Sequence, residues 1–247
     1  MTRALGLAYG IWCLVAASTW AAIVGTIGIL PFVVVPRGRR ERYTMTTGVL
    51  WARTVIAAIL FARPTVTGEV ALRDPARGAL VVSNHRSWLD TVLLVAYTRS
   101  QGLGKSQIKY IPFIGLFGWL IGAVYFDRKN PDARKQARND VLWMVKQGNR
   151  IHVYPEGTRS LTSEVAAKVH LTLVMDCWEA KLPVVPCAVW GTERTLPADH
   201  TAVYVGQRSR LDIGVALYPE DFPDAGSFAD AVWKDVVARV ERLKVEP

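Results

Sequence analysis

The chain has 247 residues, 51% of them hydrophobic and 21% charged, with a mean hydropathy of +0.18. At about 150 residues per domain that allows one large or two small domains; the chain is too apolar for disorder, and apolar enough to imply contact with lipid or a buried interface. Of the formal charge of +9, residues 1–63 supply most, with seven Arg against Glu41 alone; a basic excess lodged at the apolar end argues against nucleic acid and favours anionic lipid head groups.

From Ala4 to Val35, 32 consecutive positions carry no charge. About 20 helical residues cross a hydrocarbon layer, so the run is too long for one upright span and too short for two with a turn. It implies either a tilted or kinked helix or a hairpin that dips in and returns, with Gly25 and Gly28 near the bend and Pro31 limiting the helix beyond it. A cleaved signal peptide, with an apolar core of about 7–15 residues, fits less well. The flank Pro36–Arg42 holds four Arg, which by the positive-inside rule puts that flank and the remainder of the chain on the cytoplasmic side. Val49 to Ala62, interrupted by Arg53, suits a helix lying in the interface or packed on the domain. Residues 1–63 are expected to anchor the chain to a membrane, and 64–247 to form one α/β domain.

From Thr65 onward short β-rich runs alternate with helical stretches, the pattern of an α/β layer with a mostly parallel sheet flanked by helices. Strands are expected at Thr65–Val70, Ala79–Ser83, Ala123–Asp127, Arg150–Tyr154 and Pro183–Trp190, and a helix from about Asp132 to Gln147 closed by Gly148. Thr201–Val205 and Leu211–Leu217 flank a Gly-containing turn and read as a hairpin. A last helix is expected from Ser227, with Asp230 completing a capping box and apolar residues recurring at Val232, Trp233, Val236, Val237 and Val240. Cys13, Cys177 and Cys187 lack CxxC spacing, and the four histidines (His85, His152, His170, His200) lack ligand spacing, so neither a disulfide framework nor a metal site is expected.

The chemistry concentrates at Asn84-His85-Arg86-Ser87-Trp88-Leu89-Asp90, where the apolar strand Ala79–Ser83 gives way to a helix. Strand ends in α/β sheets are where sites form. A histidine can take a hydroxyl proton near neutral pH, and a carboxylate on its other nitrogen fixes the tautomer and stabilises the imidazolium. Within one helix an offset of five residues is about 140° of rotation, so His85 and Asp90 meet only if His85 lies in the turn before the helix. The competing reading is structural: Ser87 to Asp90 is itself an S-x-x-D capping box.

In these residues the chain resembles the membrane-bound glycerolipid acyltransferases of the lysophosphatidic acid acyltransferase type. Asn84, His85 and Asp90 match the family's first motif. Lys105, Ile111-Pro112-Phe113-Ile114-Gly115 and Gly122-Ala123-Val124-Tyr125-Phe126-Asp127-Arg128 resemble its second; Tyr154-Pro155-Glu156-Gly157-Thr158-Arg159-Ser160 its third; and Leu182 to Val189, with internal Pro183 and Pro186, its fourth. The four occur in the family's order over roughly residues 80–190. The resemblance implies an α/β acyltransferase domain that moves a fatty acyl group from a thioester, acyl-CoA or acyl carrier protein, to the free hydroxyl of lysophosphatidic acid. His85 would then be the general base, Asp90 its orienting carboxylate, and Lys105, Arg128, Glu156, Gly157, Thr158 and Arg159 the substrate-binding set. No cofactor or metal would be needed, and the partners would be membrane lipids, the lysophospholipid and the acyl donor.

The third motif is also readable on its own. Arg159 offers a planar fork suited to phosphate and Gly157 lets backbone approach a ligand, at the end of a strand much as His85 follows its own. The plain alternative is a tight turn in which Glu156 and Arg159 pair, with Lys105 and Arg128 ordinary surface cations. Members of the family often follow this motif with Pro-Phe-Lys-x-Gly, whereas Val165-Ala166-Ala167-Lys168-Val169-His170 keeps only the Lys. That departure bears on the acceptor, and keeps open another lysolipid such as a lyso-ornithine lipid or a lysophospholipid with a larger head group. His170 reads as a structural histidine. A thioesterase, or a non-catalytic membrane adaptor, is the alternative from outside the class.

Overall fold

The computed structural model describes residues 2–29, 34–162, 164–166 and 168–245; Pro31 lies outside them. The centre of the fold is β2 (Ala79–Ser83), five residues buried throughout. Such an unbroken apolar run belongs to a parallel strand covered on both faces. β2 lies between β5 (Arg150–Val153) and β6 (Val184–Trp190), with Val82 opposite Val153 on one side and Pro186 on the other. With β1 (Thr65–Thr67), β3 (Gln101–Lys105), β4 (Val124–Phe126) and β7 (Arg210–Ile213), these strands make a seven-stranded sheet in the order β1-β7-β6-β2-β5-β3-β4. Every pairing is parallel except β6 with β7.

Successive strand residues point to opposite faces, and each face has its own hydrophobic layer. Ala79, Val81, Val185 and Cys187 pack with α3 (Trp88–Thr98) and with the N-terminal helices. Leu80, Val82, Ile151 and Val184 pack with α5 (Pro131–Lys146), α6 (Thr172–Glu179) and α8 (Ala225–Val245). The start of α5 is set by Asn130, whose side chain accepts from the N–H groups of Asp132 and Ala133, and Gly148 at φ 85° stops it, as expected.

The N-terminal segment departs from the expected bend. α1 (Arg3–Ile29) continues as one unbroken helix through Gly25 and Gly28. These glycines serve close approach: a Cβ on Gly28 would sit 2.4 Å from the Thr47 hydroxyl, and one on Gly25 3.3 Å from the Phe117 ring of α4 (Ile114–Leu120). The hairpin is instead made by α1 with α2 (Arg40–Thr54) and the π-helical turn Val55–Ile59 that continues it. The Tyr9 hydroxyl donates to Ile59 O at 2.6 Å, and Trp51 Nε1 donates to Ala17 O at 3.0 Å. Cys13, Ala17, Val49, Ile56 and Ile59 belong to the same hydrophobic cluster as β2 and α3, so the hairpin and the sheet share a core. The Arg-rich flank is pinned too: buried Glu41 accepts from Gly38 N, and Asn149 Nδ2 donates to Gly38 O at 2.8 Å.

Three further expectations are corrected. Thr201–Val205 forms no strand; the Val203 N–H goes to Gly6 O of α1 at 3.0 Å, and β7 pairs with β6 and β1 instead. α8 starts before Ser227, because Asp224 Oδ1 accepts from Ser227 N at 2.8 Å and so takes the capping role. β1 stops at Thr67 because Gly68 turns to φ 73°. β3, Gln-Gly-Leu-Gly-Lys, escaped the sequence reading for want of β-branched residues; at Gly102 a Cβ would meet His152 Nε2 at 2.9 Å, so glycine is what lets this strand dock.

Candidate active site

The first motif leaves the C-terminal end of β2 and the third leaves that of β5. Since these strands are parallel neighbours, both loops emerge side by side at one edge of the sheet. The chain leaves β2 through Asn84, whose Nδ2 donates to Val189 O at 3.0 Å while its Oδ1 accepts from Val189 N at 2.8 Å. This two-point clamp ties the first motif to β6 and therefore to the fourth.

His85 lies ahead of α3, as the rotation argument required, and its Nδ1 is 2.9 Å from Asp90 Oδ2. The same oxygen accepts from Arg86 N at 2.6 Å and Ser87 N at 2.7 Å, while Oδ1 accepts from the Thr192 hydroxyl at 2.5 Å. Ser87 caps the helix by accepting from Leu89 N. The capping box and the His–Asp pair, opposed as readings of the sequence, are thus one structure: Asp90 closes the helix and holds the imidazole with the same carboxylate. A carboxylate on Nδ1 assigns the proton to that nitrogen and leaves Nε2 with its lone pair. The His85 side chain is 17% exposed and the Asp90 side chain is fully buried, so the imidazole reaches solvent and its partner does not.

Two residues of the third motif hold His85 from the other side. The Tyr154 ring stacks on the imidazole with centroids 3.8 Å apart and planes at 10°. Its hydroxyl pairs with Thr91 at 3.1 Å, and burial pushes its pKa well above the usual range, so it stays neutral. Glu156, 8% exposed, accepts from His85 N at 2.7 Å through Oε1 and from Ala166 N at 3.2 Å through Oε2. Burial raises its pKa, against the lowering effect of those two N–H groups. Both oxygens are thus engaged with backbone, and Glu156 orders the loops around His85 where the sequence reading had it contacting substrate. Behind this layer His152 donates to or accepts from Ser100 at 2.9 Å, and full burial pushes it down to about 3, leaving it neutral.

The expected cations spread along the same edge. The Arg159 guanidinium lies 5.4 Å from the Trp88 ring centroid, a half-buried seat at the mouth of the His85 turn, and it does not pair with Glu156 among the described contacts. Arg128 donates through Nη1 to Gly157 O, and burial lowers its pKa. Lys105 is exposed at the end of β3, opposite Phe126 in the register, so Arg128 stands two positions beyond its partner. Gly157 is at φ 68° and Thr158 is exposed. In the altered stretch Lys168 and His170 are exposed, and the His170 N–H goes to Pro155 O at 2.9 Å. A separate hollow of about 450 Å³, lined by Arg37, Lys109, Tyr110, Trp119 and Tyr125 among others, does not include His85.

The sequence had offered no role for Tyr154 beyond its motif position and none for Thr192. Tyr154 opens the quoted third motif, and its role could have been found by asking what packs on His85. Thr192 lies 102 residues from Asp90, and only the fold brings them together.

Residues 63–190, which include both loops, match the family model described as Acyltransferase. The chain belongs to the acyltransferase family. Among relatives of this chain, the chloroplastic 1-acyl-sn-glycerol-3-phosphate acyltransferase BAT2 of Brassica napus is 30% identical over 84% of this chain and 60% of its own length. The lyso-ornithine lipid O-acyltransferase of Rhizobium meliloti is 26% identical over 69% of this chain and 56% of its own. The chain thus spans somewhat less than two thirds of the length of these relatives. The crystal structure of the 1-acyl-sn-glycerophosphate acyltransferase PlsC from Thermotoga maritima shares the fold, with a TM-score of 0.81 at 21% identity, covering 99% of this chain and 97% of that one.

Proposed function

We propose that this acyltransferase moves a fatty acyl group from a thioester donor to the free hydroxyl of lysophosphatidic acid, forming phosphatidic acid. The observation that carries the reading is the imidazole of His85, anchored through Nδ1 on a buried carboxylate, with Nε2 left to accept a proton on a side chain that is partly exposed. Nε2 takes the proton of the acceptor hydroxyl as its oxygen attacks the thioester carbonyl. The tetrahedral adduct then collapses, breaking the carbon–sulfur bond, and the thiolate leaves with the proton from the imidazolium. Asp90 stabilises the imidazolium between these steps, and no covalent acyl-enzyme is required. Proton and acyl group are accounted for without a cofactor, with acyl-CoA or acyl carrier protein as donor substrate.

Arg159 with Arg128 and Lys105 supplies positive charge for the acceptor phosphate, and only Arg159 offers its fork beside the His85 turn. Residues 1–63 hold the enzyme at the membrane. α1 is long and apolar enough to cross one, yet a third of its most apolar stretch is buried on the protein, so it meets lipid with one face, through exposed residues such as Ile11, Trp12, Val15 and Ile27. The basic flank at Arg37–Arg42 favours the cytoplasmic side.

The test is transfer of labelled acyl groups by the detergent-solubilised protein to a panel of lysolipids, beside His85→Ala and Asp90→Asn. Esterified lysophosphatidic acid, with His85→Ala folded and lower by several orders of magnitude, supports the reading. Esterification of lyso-ornithine lipid but not lysophosphatidic acid keeps the mechanism and moves the acceptor, consistent with the altered stretch around Lys168. Release of free fatty acid alone makes it a thioesterase, and no turnover of any donor refutes the enzyme reading.

A further inference from the structure

The contacts of Asp90 are unevenly sourced. Three of its four donors, the His85 ring and the backbone N–H groups of Arg86 and Ser87, come from the same turn and converge on Oδ2. The fourth is the hydroxyl of Thr192, which reaches Oδ1 at 2.5 Å from a different part of the fold. Because a carboxylate accepts only, the direction of this bond is certain: Thr192 gives its one hydroxyl proton to Asp90. Both side chains are fully buried, so no water competes for either.

The backbone is shaped to make this contact. β6 ends at Trp190, Gly191 turns at φ 78°, and α7 (Thr192–Thr195) begins at once. A Cβ at residue 191 would lie 2.5 Å from Arg208 O, so the turn requires glycine and aims Thr192 back under α3. Three residues earlier, Val189 is clamped by Asn84. The end of β6 and the turn that follows it are therefore fastened to the first motif beside His85 and beneath Asp90, with Arg86 on Glu193 and Ser87 on Leu196 O adding to the tie.

We propose that Thr192 is a positioning residue of the acyl-transfer reaction, which through Asp90 fixes the orientation and tempers the basicity of His85. The terminal torsion of a carboxylate is broad, and the donors on Oδ2 lie on one side of it; Thr192 holds the other oxygen and draws off part of its charge. Without that hydroxyl, Oδ1 is a buried acceptor with no donor, and the unshared charge stabilises the imidazolium more strongly. A base kept protonated to higher pH, on a looser support, is the expected result. The other ionisable groups around the pair are Arg86 with its partner Glu193, His152, Tyr154, Glu156 and, at the mouth of the turn, Arg159; none of them bonds to the Thr192 hydroxyl among the described contacts, so their contacts persist when it is removed.

This inference rests on the His85–Asp90 reading, and the experiment separates the two. Thr192→Val removes the hydroxyl and keeps the shape, Thr192→Ser keeps the hydroxyl, and His85→Ala reports on the site itself. Steady-state acyl transfer is measured from pH 5 to 9, with melting temperatures for every variant. The expected result for Thr192→Val is a kcat lower by about 10- to 100-fold, the range for losing a hydrogen bond to a charged group. KM for the lysolipid stays unchanged, the acid limb of kcat/KM moves to higher pH, and Thr192→Ser restores both rate and limb. If Thr192→Val does not fold, Thr192→Ala, which puts no methyl group against the carboxylate, is read by the same criteria. A hydroxyl-free variant with wild-type kcat, or with an unmoved acid limb, overturns the proposal even if its melting temperature has dropped. Full activity in His85→Ala would instead overturn the reading on which it stands.

Discussion

Replacing Glu156 by Gln separates a residue that orders the site from one that binds substrate. In the wild type one carboxylate, 8% exposed, accepts from His85 N at 2.7 Å and from Ala166 N at 3.2 Å. A glutamine amide has one acceptor, so if its oxygen keeps the shorter bond its NH₂ group faces the Ala166 N–H, donor against donor. An unsatisfied buried donor costs about 1–3 kcal/mol. The surviving bond also loses its charge assistance, while removing a desolvated carboxylate offsets part of the loss. A net destabilisation of about 2 kcal/mol follows, or roughly 4–8 °C in melting temperature for a chain of this size. Activity should fall further than stability suggests, because the peptide that carries the base loses a fixed anchor and a misplacement of about 1 Å can cost on the order of 100-fold. The assay is thermal unfolding followed by tryptophan fluorescence, with kcat and KM on the same preparations. A lower kcat with unchanged KM is expected; a large rise in KM with kcat and melting temperature intact would show that Glu156 touches substrate after all. The pH dependence has a definite sign. Burial raises the Glu156 carboxyl above its ordinary 4.5, so its contribution is fully present below that value and is lost as pH rises through the elevated one. The stability advantage of wild type over Glu156→Gln should therefore narrow as pH increases from about 4.5; an advantage that widens there would contradict the burial argument.

Other consequences can be checked on the same protein. Arg159→Ala should raise KM for lysophosphatidic acid by about 10- to 100-fold, with Arg159→Lys recovering only part because an ammonium lacks the planar fork; an equal effect with a phosphate-free acceptor would remove the phosphate from its role. Asn84→Asp turns the Val189 O donor into an acceptor facing a carbonyl, and should cost about 3 kcal/mol or more with loss of activity, read as a melting shift; an unchanged melting temperature would mean that the clamp is dispensable. Cys177 and Cys187 are fully buried and burial raises both thiols, Cys187 to about 12, so iodoacetamide at neutral pH should leave them unmodified until the protein is unfolded. Prompt labelling of either in active enzyme would show that the sheet layer opens readily.

The sequence was sufficient wherever a local pattern decides the structure. β2 announced itself as the apolar run Ala79 to Val82 before Ser83, α5 through its helical stretch and the closing Gly148, and the site through residue types at strand ends. The order of the four motifs was enough to assign the family, because each motif is a contiguous stretch. What it could not settle were contacts between residues distant along the chain. Gly25 and Gly28 look alike whether they bend a helix or admit a neighbour, and only the packing of Phe117 and Thr47 against α1 selects the second. Ser87 to Asp90 permits a cap or a carboxylate for His85, and the position of His85 one turn ahead of α3 lets Asp90 serve as both. β3 is held by its neighbours rather than by its own propensity, and the Glu156 and Thr192 contacts depend on loops from β5 and β6 arriving beside β2. Local chemistry singled out the candidate groups. The parallel register of three central strands brought their supports within hydrogen-bonding distance, a condition no single segment can meet, because it is fixed by how the strands pack on one another.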